Sequence, residues 1–113
     1  MMDNLEDRKC VPCRGDTPTL TEDLIAEYLD VVEGWERKGE TVEKTLIFKN
    51  FVKAMEFVTK VGAIAEEEGH HPDINIHDYK QVTFSFTTHV VHGLTLNDFV
   101  MAAKTDQLFG STK

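Results

Sequence analysis

The sequence predicts an α+β fold of two layers, an antiparallel sheet with helices packed on one face. Two observations carry this. The run from Tyr79 to Val91 sets Val82, Phe84 and Phe86 against Thr83, Ser85 and Thr87, a strict period of two that marks a strand with one apolar face. Elsewhere, stretches with apolar residues at three- and four-residue steps are separated by short alternating segments. The resulting order is helix, hairpin, helix, strand or strand pair, helix.

Residues 1 to 18 hold charges, Gly15, Pro12 and Pro18 without sustained periodicity, and read as an extended N-terminal arm before a single domain over 19 to 113. Either Thr21 caps the first helix directly or Thr19 does so in a capping box with Glu22. Leu24, Ile25, Tyr28, Leu29 and Val32 give that helix its stripe, and Gly34 is placed to end it. Trp35 to Lys38, the turn at Gly39, and Thr41 to Phe48 read as a hairpin with Val42, Leu46 and Phe48 on one side.

Asn50 can cap a long helix in which Phe51, Ala54, Met55, Val58, Val61 and Ala65 recur, until Gly69 stops it. Ile74 and Ile76 suggest a short strand entry. His89 shares the parity of Thr83, Ser85 and Thr87, so a regular strand would place it on the polar face. After Gly93, Thr95 and Asp98 form a T-x-x-D cap for a last helix with Leu96, Phe99, Val100 and Ala103 on its apolar side. No internal repeat is present.

Of 113 residues, 41% are hydrophobic and 28% charged, the composition of a compact globular chain. The formal net charge of -8, with no Lys/Arg cluster, disfavours direct binding to nucleic acid. No apolar run approaches the ~20 residues that span a bilayer. The start MMDNLEDRKC lacks the basic-then-apolar pattern of a secretion signal, so a cytoplasmic location is expected. Cys10 and Cys13 form C-x-x-C without the two further ligands of a zinc knuckle or the strand-to-helix context of a redox motif, and are assigned no function.

The residues suited to chemistry are His70, His71 and His89, with Glu66 and Asp98 as orienting carboxylates. Glu66 precedes His70 by one helical turn and can meet its backbone or ring if the helix persists through Gly69. Pro72 biases His71 out of helical angles and presents both imidazoles at a loop. With an ordinary pKa of about 6.5, imidazoles can donate and accept protons near neutrality. A pair on either side of a substrate suits the elimination of water.

The blander reading is that each histidine sits at a surface or helix end, that Asp98 only caps, and that Glu66 in the run Glu66-Glu67-Glu68 is solvated. Three histidines and a carboxylate are also the ingredients of a zinc or iron centre, but adjacent histidines rarely both reach one ion and no H-x-x-x-H pair is present. His77 and His92 have no assigned partner.

The run AEEEGHHPDI, a following Tyr, a strand, TTH, then GLT and an Asp opening the last helix resemble the signature of the pterin-4a-carbinolamine dehydratases. Gly34-Trp35 and the helix FKNFVKAMEFVTKVGAIAEE agree, and the resemblance extends from Thr17 to about Ala103. It implies a four-stranded sheet, homodimers or homotetramers, and dehydration of 4a-hydroxytetrahydropterin to quinonoid dihydropterin without metal or cofactor. His70 and His89 would then be the acid-base pair, His71 would orient the pterin, and Glu66 and Asp98 would support the site. Animal members also partner homeodomain transcription factors, which keeps open a non-catalytic pterin-binding or regulatory module. Two departures stand out. One extra residue before Tyr79 predicts a bulge or a longer turn, and Asn97 replaces a frequent basic residue, removing a contact to substrate or to a neighbouring charge.

Overall fold

The computed structural model describes residues 4 to 111. Residues 1 to 3 of the expected arm and 112 to 113 of the expected domain lie outside the described residues. Three helices, α1 (Glu22–Val31), α2 (Phe51–Glu68) and α3 (Leu96–Ser111), accompany four strands, β1 (Glu36–Lys38), β2 (Thr41–Ile47), β3 (Asp73–His77) and β4 (Gln81–Phe86). The strands form one antiparallel sheet in the order β1-β2-β4-β3.

Period-two patterning decides which face the helices cover. Val42, Leu46, Val82, Phe84 and Phe86 are buried on one side. The other face is polar, with Thr45 and Thr83 hydroxyls 2.7 Å apart, His77 Nε2 2.9 Å from the Thr83 hydroxyl, and Ser85 donating to Glu43 at 3.2 Å. The helices pack through aromatic rings: Phe57 of α2 meets Phe84 edge-on at 5.8 Å, and Tyr28 of α1 meets Phe99 of α3 at 5.4 Å. Asp106 of α3 accepts the Trp35 indole N–H and the Lys44 ammonium, each at 3.0 Å, and so fastens the last helix to the first hairpin. No helix among the described residues is long and apolar enough to cross a membrane.

Several local expectations are corrected. The first helix is capped by Thr21, whose hydroxyl accepts from the Leu24 N–H at 3.3 Å, but it ends at Val31, and Gly34 (φ +85°) serves the turn into β1. The buried stripe of α2 is Ala54, Phe57, Val61 and Ala65, while Phe51 and Met55 are exposed. Apolar residues wrap much of the first half of α2, so sequence periodicity allowed two phases. The ring cluster of Phe57 with Phe48, Phe84 and Phe109 selects the observed one.

The strand expected from Tyr79 to Val91 is shorter than its alternating pattern. β4 spans only Gln81–Phe86, and a 3-10 turn at His89–Val91 follows. The extra residue before Tyr79 makes no bulge, because β3 pairs with β4 in continuous register from Asp73↔Ser85 to His77↔Gln81. The two strands are joined by a turn in which Asp78 (φ +47°) and Tyr79 (φ +51°) are both left-handed.

Candidate active site

Two helix ends and one strand end converge on the predicted residues. Asn50 starts α2 by accepting the Lys53 N–H at 2.9 Å, and Gly69 ends it in the left-handed region (φ +68°), donating its N–H to Ala65 at 2.8 Å. A glycine is favoured there because a Cβ would strain that backbone. The reversal delivers His70 into the protein, only 9% exposed, and leaves His71 at the surface.

His70 Nε2–H donates to Asp98 Oδ1 at 2.6 Å, and the imidazole lies nearly parallel to the Phe86 ring (13°, centroids 6.4 Å apart). Asp98 is wholly buried. Its second oxygen accepts the Thr88 hydroxyl at 2.8 Å and the Thr95 amide at 2.9 Å. The Thr95 amide bond is the carboxylate half of the predicted capping box, and it sets the negative charge at the N-terminus of α3, where the helix dipole favours it. Asp98 therefore both caps the helix and fixes His70. The buried carboxylate thus meets three hydrogen-bond partners, as a polar group away from water requires.

The remaining predicted residues are placed differently from one another. His89 lies in the 3-10 turn after β4 rather than on the sheet's polar face, exposed, with no side-chain hydrogen bond among the described residues. The strand stops because Thr88 turns inward to Asp98 and pairs with Gly93 across a bridge. Glu66 does not reach His70 but pairs with His71 at an exposed position. His70, His71 and His89 line one cleft of about 500 Å³ together with Thr88, Val90 and Asn97. Among the described residues, no group of three or more His, Cys, Asp or Glu side chains is placed to hold a metal ion.

The cleft's further wall is the N-terminal arm. Leu5 is buried in the core, Lys104 donates to the Glu6 carbonyl at 2.9 Å, and Cys10 to Cys13 border the cleft. The cysteines thus lie beside the histidines, on an arm that packs against the rest of the chain. Burial, and then the Glu68 carboxylate, push the Cys10 thiol up to about 12. Thr88 is a functional candidate that the sequence left without a site role, and Asn97, which the sequence marked only by a lost contact, is another. The Thr preceding His89 was visible in the TTH motif, but its inward turn depends on where the strand ends.

An open antiparallel sheet covered on one face by three helices, with a histidine cleft at its helix ends, has the architecture of the pterin dehydratases. The crystal structure of a transcriptional coactivator/pterin dehydratase from Brucella melitensis superposes with a TM-score of 0.76 at 30% identity, covering 80% of this chain and 98% of that one. The model of the family described as Pterin 4 alpha carbinolamine dehydratase matches residues 18–108. Proteins of Nitrosococcus oceani and Nitrosospira multiformis, each named "Putative pterin-4-alpha-carbinolamine dehydratase", are 43% and 40% identical to it. The first match covers 95% of this chain and 97% of the relative, the second 96% and 95%. The chain belongs to the pterin-4a-carbinolamine dehydratase family, a family of hydro-lyases.

Proposed function

We propose that this protein dehydrates 4a-hydroxytetrahydropterin to quinonoid dihydropterin by histidine acid-base catalysis. The observation that carries the reading is that His70, paired with the buried Asp98, lines the same cleft as the His89 ring, which makes no side-chain hydrogen bond among the described residues. In the elimination, the C4a–O bond breaks, a proton joins the leaving hydroxyl to give water, and the N5 proton is withdrawn as the C4a–N5 double bond forms. One proton is given and one taken, so a pair of imidazoles completes the reaction and returns to its starting state after proton exchange.

With its Nε2 proton committed to Asp98, a neutral His70 ring keeps Nδ1 as its acceptor. His89, exposed and without a competing hydrogen bond among the described residues, can exchange protons with substrate or solvent. His71, tethered by Glu66, orients the pterin at the cleft edge. The product would be reduced again elsewhere, so the reaction recycles a tetrahydropterin cofactor in the cytoplasm.

The single domain from 19 to 113 would act as a homodimer or homotetramer. The exposed apolar side chains of Ile47, Phe51, Val52 and Met55 at the end of β2 and the start of α2 support this reading, being surface a second copy could cover.

The decisive experiment follows the absorbance decay of synthetic 4a-hydroxytetrahydropterin with the wild-type protein and with His89→Ala. Acceleration by the wild type and its loss in the variant are expected. Equal, uncatalysed decay with both would end this reading.

A further inference from the structure

The N-terminal arm is joined to the two helix ends that carry the site. Asn97, 4% exposed in the first turn of α3, accepts the Val11 N–H at 3.0 Å and donates its amide to the Val11 carbonyl at 2.6 Å. One side chain thereby grips both backbone polar groups of one residue, as a neighbouring strand would. The same Asn97 amide lies 3.3 Å from Cys13 Sγ. At the end of α2, Glu68, with its side chain 4% exposed, accepts the Cys10 N–H at 2.7 Å, and Lys9 Nζ lies 3.8 Å from its other oxygen. The arm thus supplies the partners of a buried carboxylate two residues before His70, and it is held by the residue next to Asp98.

These grips have a consequence for side-chain direction. Val11 remains 62% exposed although its backbone is fixed, and it lines the histidine cleft. Val90, adjacent to His89, is also exposed (50%) and lines the same cleft. Two apolar side chains held open to water beside three imidazoles suit a flat heteroaromatic ring, which offers apolar faces and polar edges.

We propose that the arm is a wall of the pterin site, with Val11 contacting the face of the substrate ring and Asn97 acting as the positioning residue that holds Val11 there. This rests on the dehydratase reading. Asn97 would serve the substrate through the arm rather than by a direct contact.

The test is a double-mutant cycle in the full chain with Val11→Ala, Asn97→Ala and the combination, measuring KM and kcat on 4a-hydroxytetrahydropterin. Val11→Ala should raise KM about 3- to 10-fold with kcat within about twofold of wild type, since a contact to one or two methyl groups is lost and His70, His89 and Asp98 are untouched. Asn97→Ala should raise KM at least as much, and the double variant should fall well short of the product of the two effects, because both act through one contact. Val11 is exposed, so its variant tests the contact even if Asn97→Ala fails to fold. A KM for Val11→Ala within about twofold of wild type overturns the proposal, as does a fall in kcat alone. Fully multiplicative effects would overturn the role of Asn97. A wild-type protein without turnover would defeat the dehydratase reading and this proposal with it, whereas an active wild type with an indifferent Val11→Ala defeats the proposal only.

Discussion

Thr88 and Asp98 are joined by a 2.8 Å hydrogen bond in the interior, on the carboxylate whose other oxygen holds His70. The Thr88 hydroxyl also lies 2.9 Å from that of Thr95, so the Thr88 hydroxyl and the Thr95 amide fix the carboxylate oxygen that does not meet the imidazole. Thr88→Val removes the donor while keeping the shape. It should reduce kcat roughly 10-fold, as expected when a supporting hydrogen bond behind a site residue is lost, and destabilise by about 1–3 kcal/mol. Steady-state kinetics and urea unfolding would check both.

Asp98→Asn separates capping from catalysis. The amide oxygen can still accept from Thr95, so the stability loss should stay near ~1 kcal/mol. The amide cannot hold the imidazole as a carboxylate does, and kcat should fall by about 100-fold or more with a smaller change in KM. Asp98→Ala should lose both properties, and comparing the pair by kinetics and thermal melting isolates the charge.

His89→Ala should show the opposite balance. The side chain is exposed and makes no hydrogen bond among the described residues, so stability should shift by no more than about 0.5 kcal/mol. Turnover should drop about 10²- to 10⁴-fold, the usual contribution of a general acid or base. Circular dichroism melting beside the kinetic assay would detect an unfolding artefact.

The Cys10 thiol, raised to about 12 by burial and then by the Glu68 charge, links stability to alkaline pH. An unfolded thiol ionises near its ordinary value of 9.0, so between about 9 and 12 the unfolded chain binds fewer protons than the folded one. This contribution is fully present below pH 9 and is lost as pH rises through that window. Cys10→Ser should flatten the alkaline side of the stability profile measured by denaturant unfolding. In the native protein at pH 8, iodoacetamide should modify Cys10 only slowly, and urea should release the site to rapid labelling, both readable by peptide mass analysis.

The layered fold was legible because period two and helical spacing are imposed by burial on one face, and the capping residues Thr21, Asn50 and Gly69 act locally. His70, His71, His89 and Asp98 could be singled out by residue type and motif. The pairing of Glu66 with His71 rather than His70 could not, because it depends on how the chain turns after the left-handed Gly69. The end of β4 was hidden for a similar reason. Thr87, Thr88 and His89 continue the strand pattern in sequence, while the pull of Asp98 on Thr88 comes from a helix ten residues further on. The docking of the arm was least visible, since Asn97 and Glu68 hold it by contacts 86 and 58 residues apart that leave no periodic trace.

The indole fastened to Asp106 has a practical consequence. Trp35 is the chain's single tryptophan, it packs 5.7 Å from Phe86, and Phe86 in turn lies under the His70 ring. Its fluorescence is therefore an uncontaminated optical signal from the seam between the first hairpin and the last helix. A red shift in emission would announce water reaching that seam, and comparing its midpoint with the loss of turnover would tell whether the catalytic corner melts with the rest of the molecule or ahead of it.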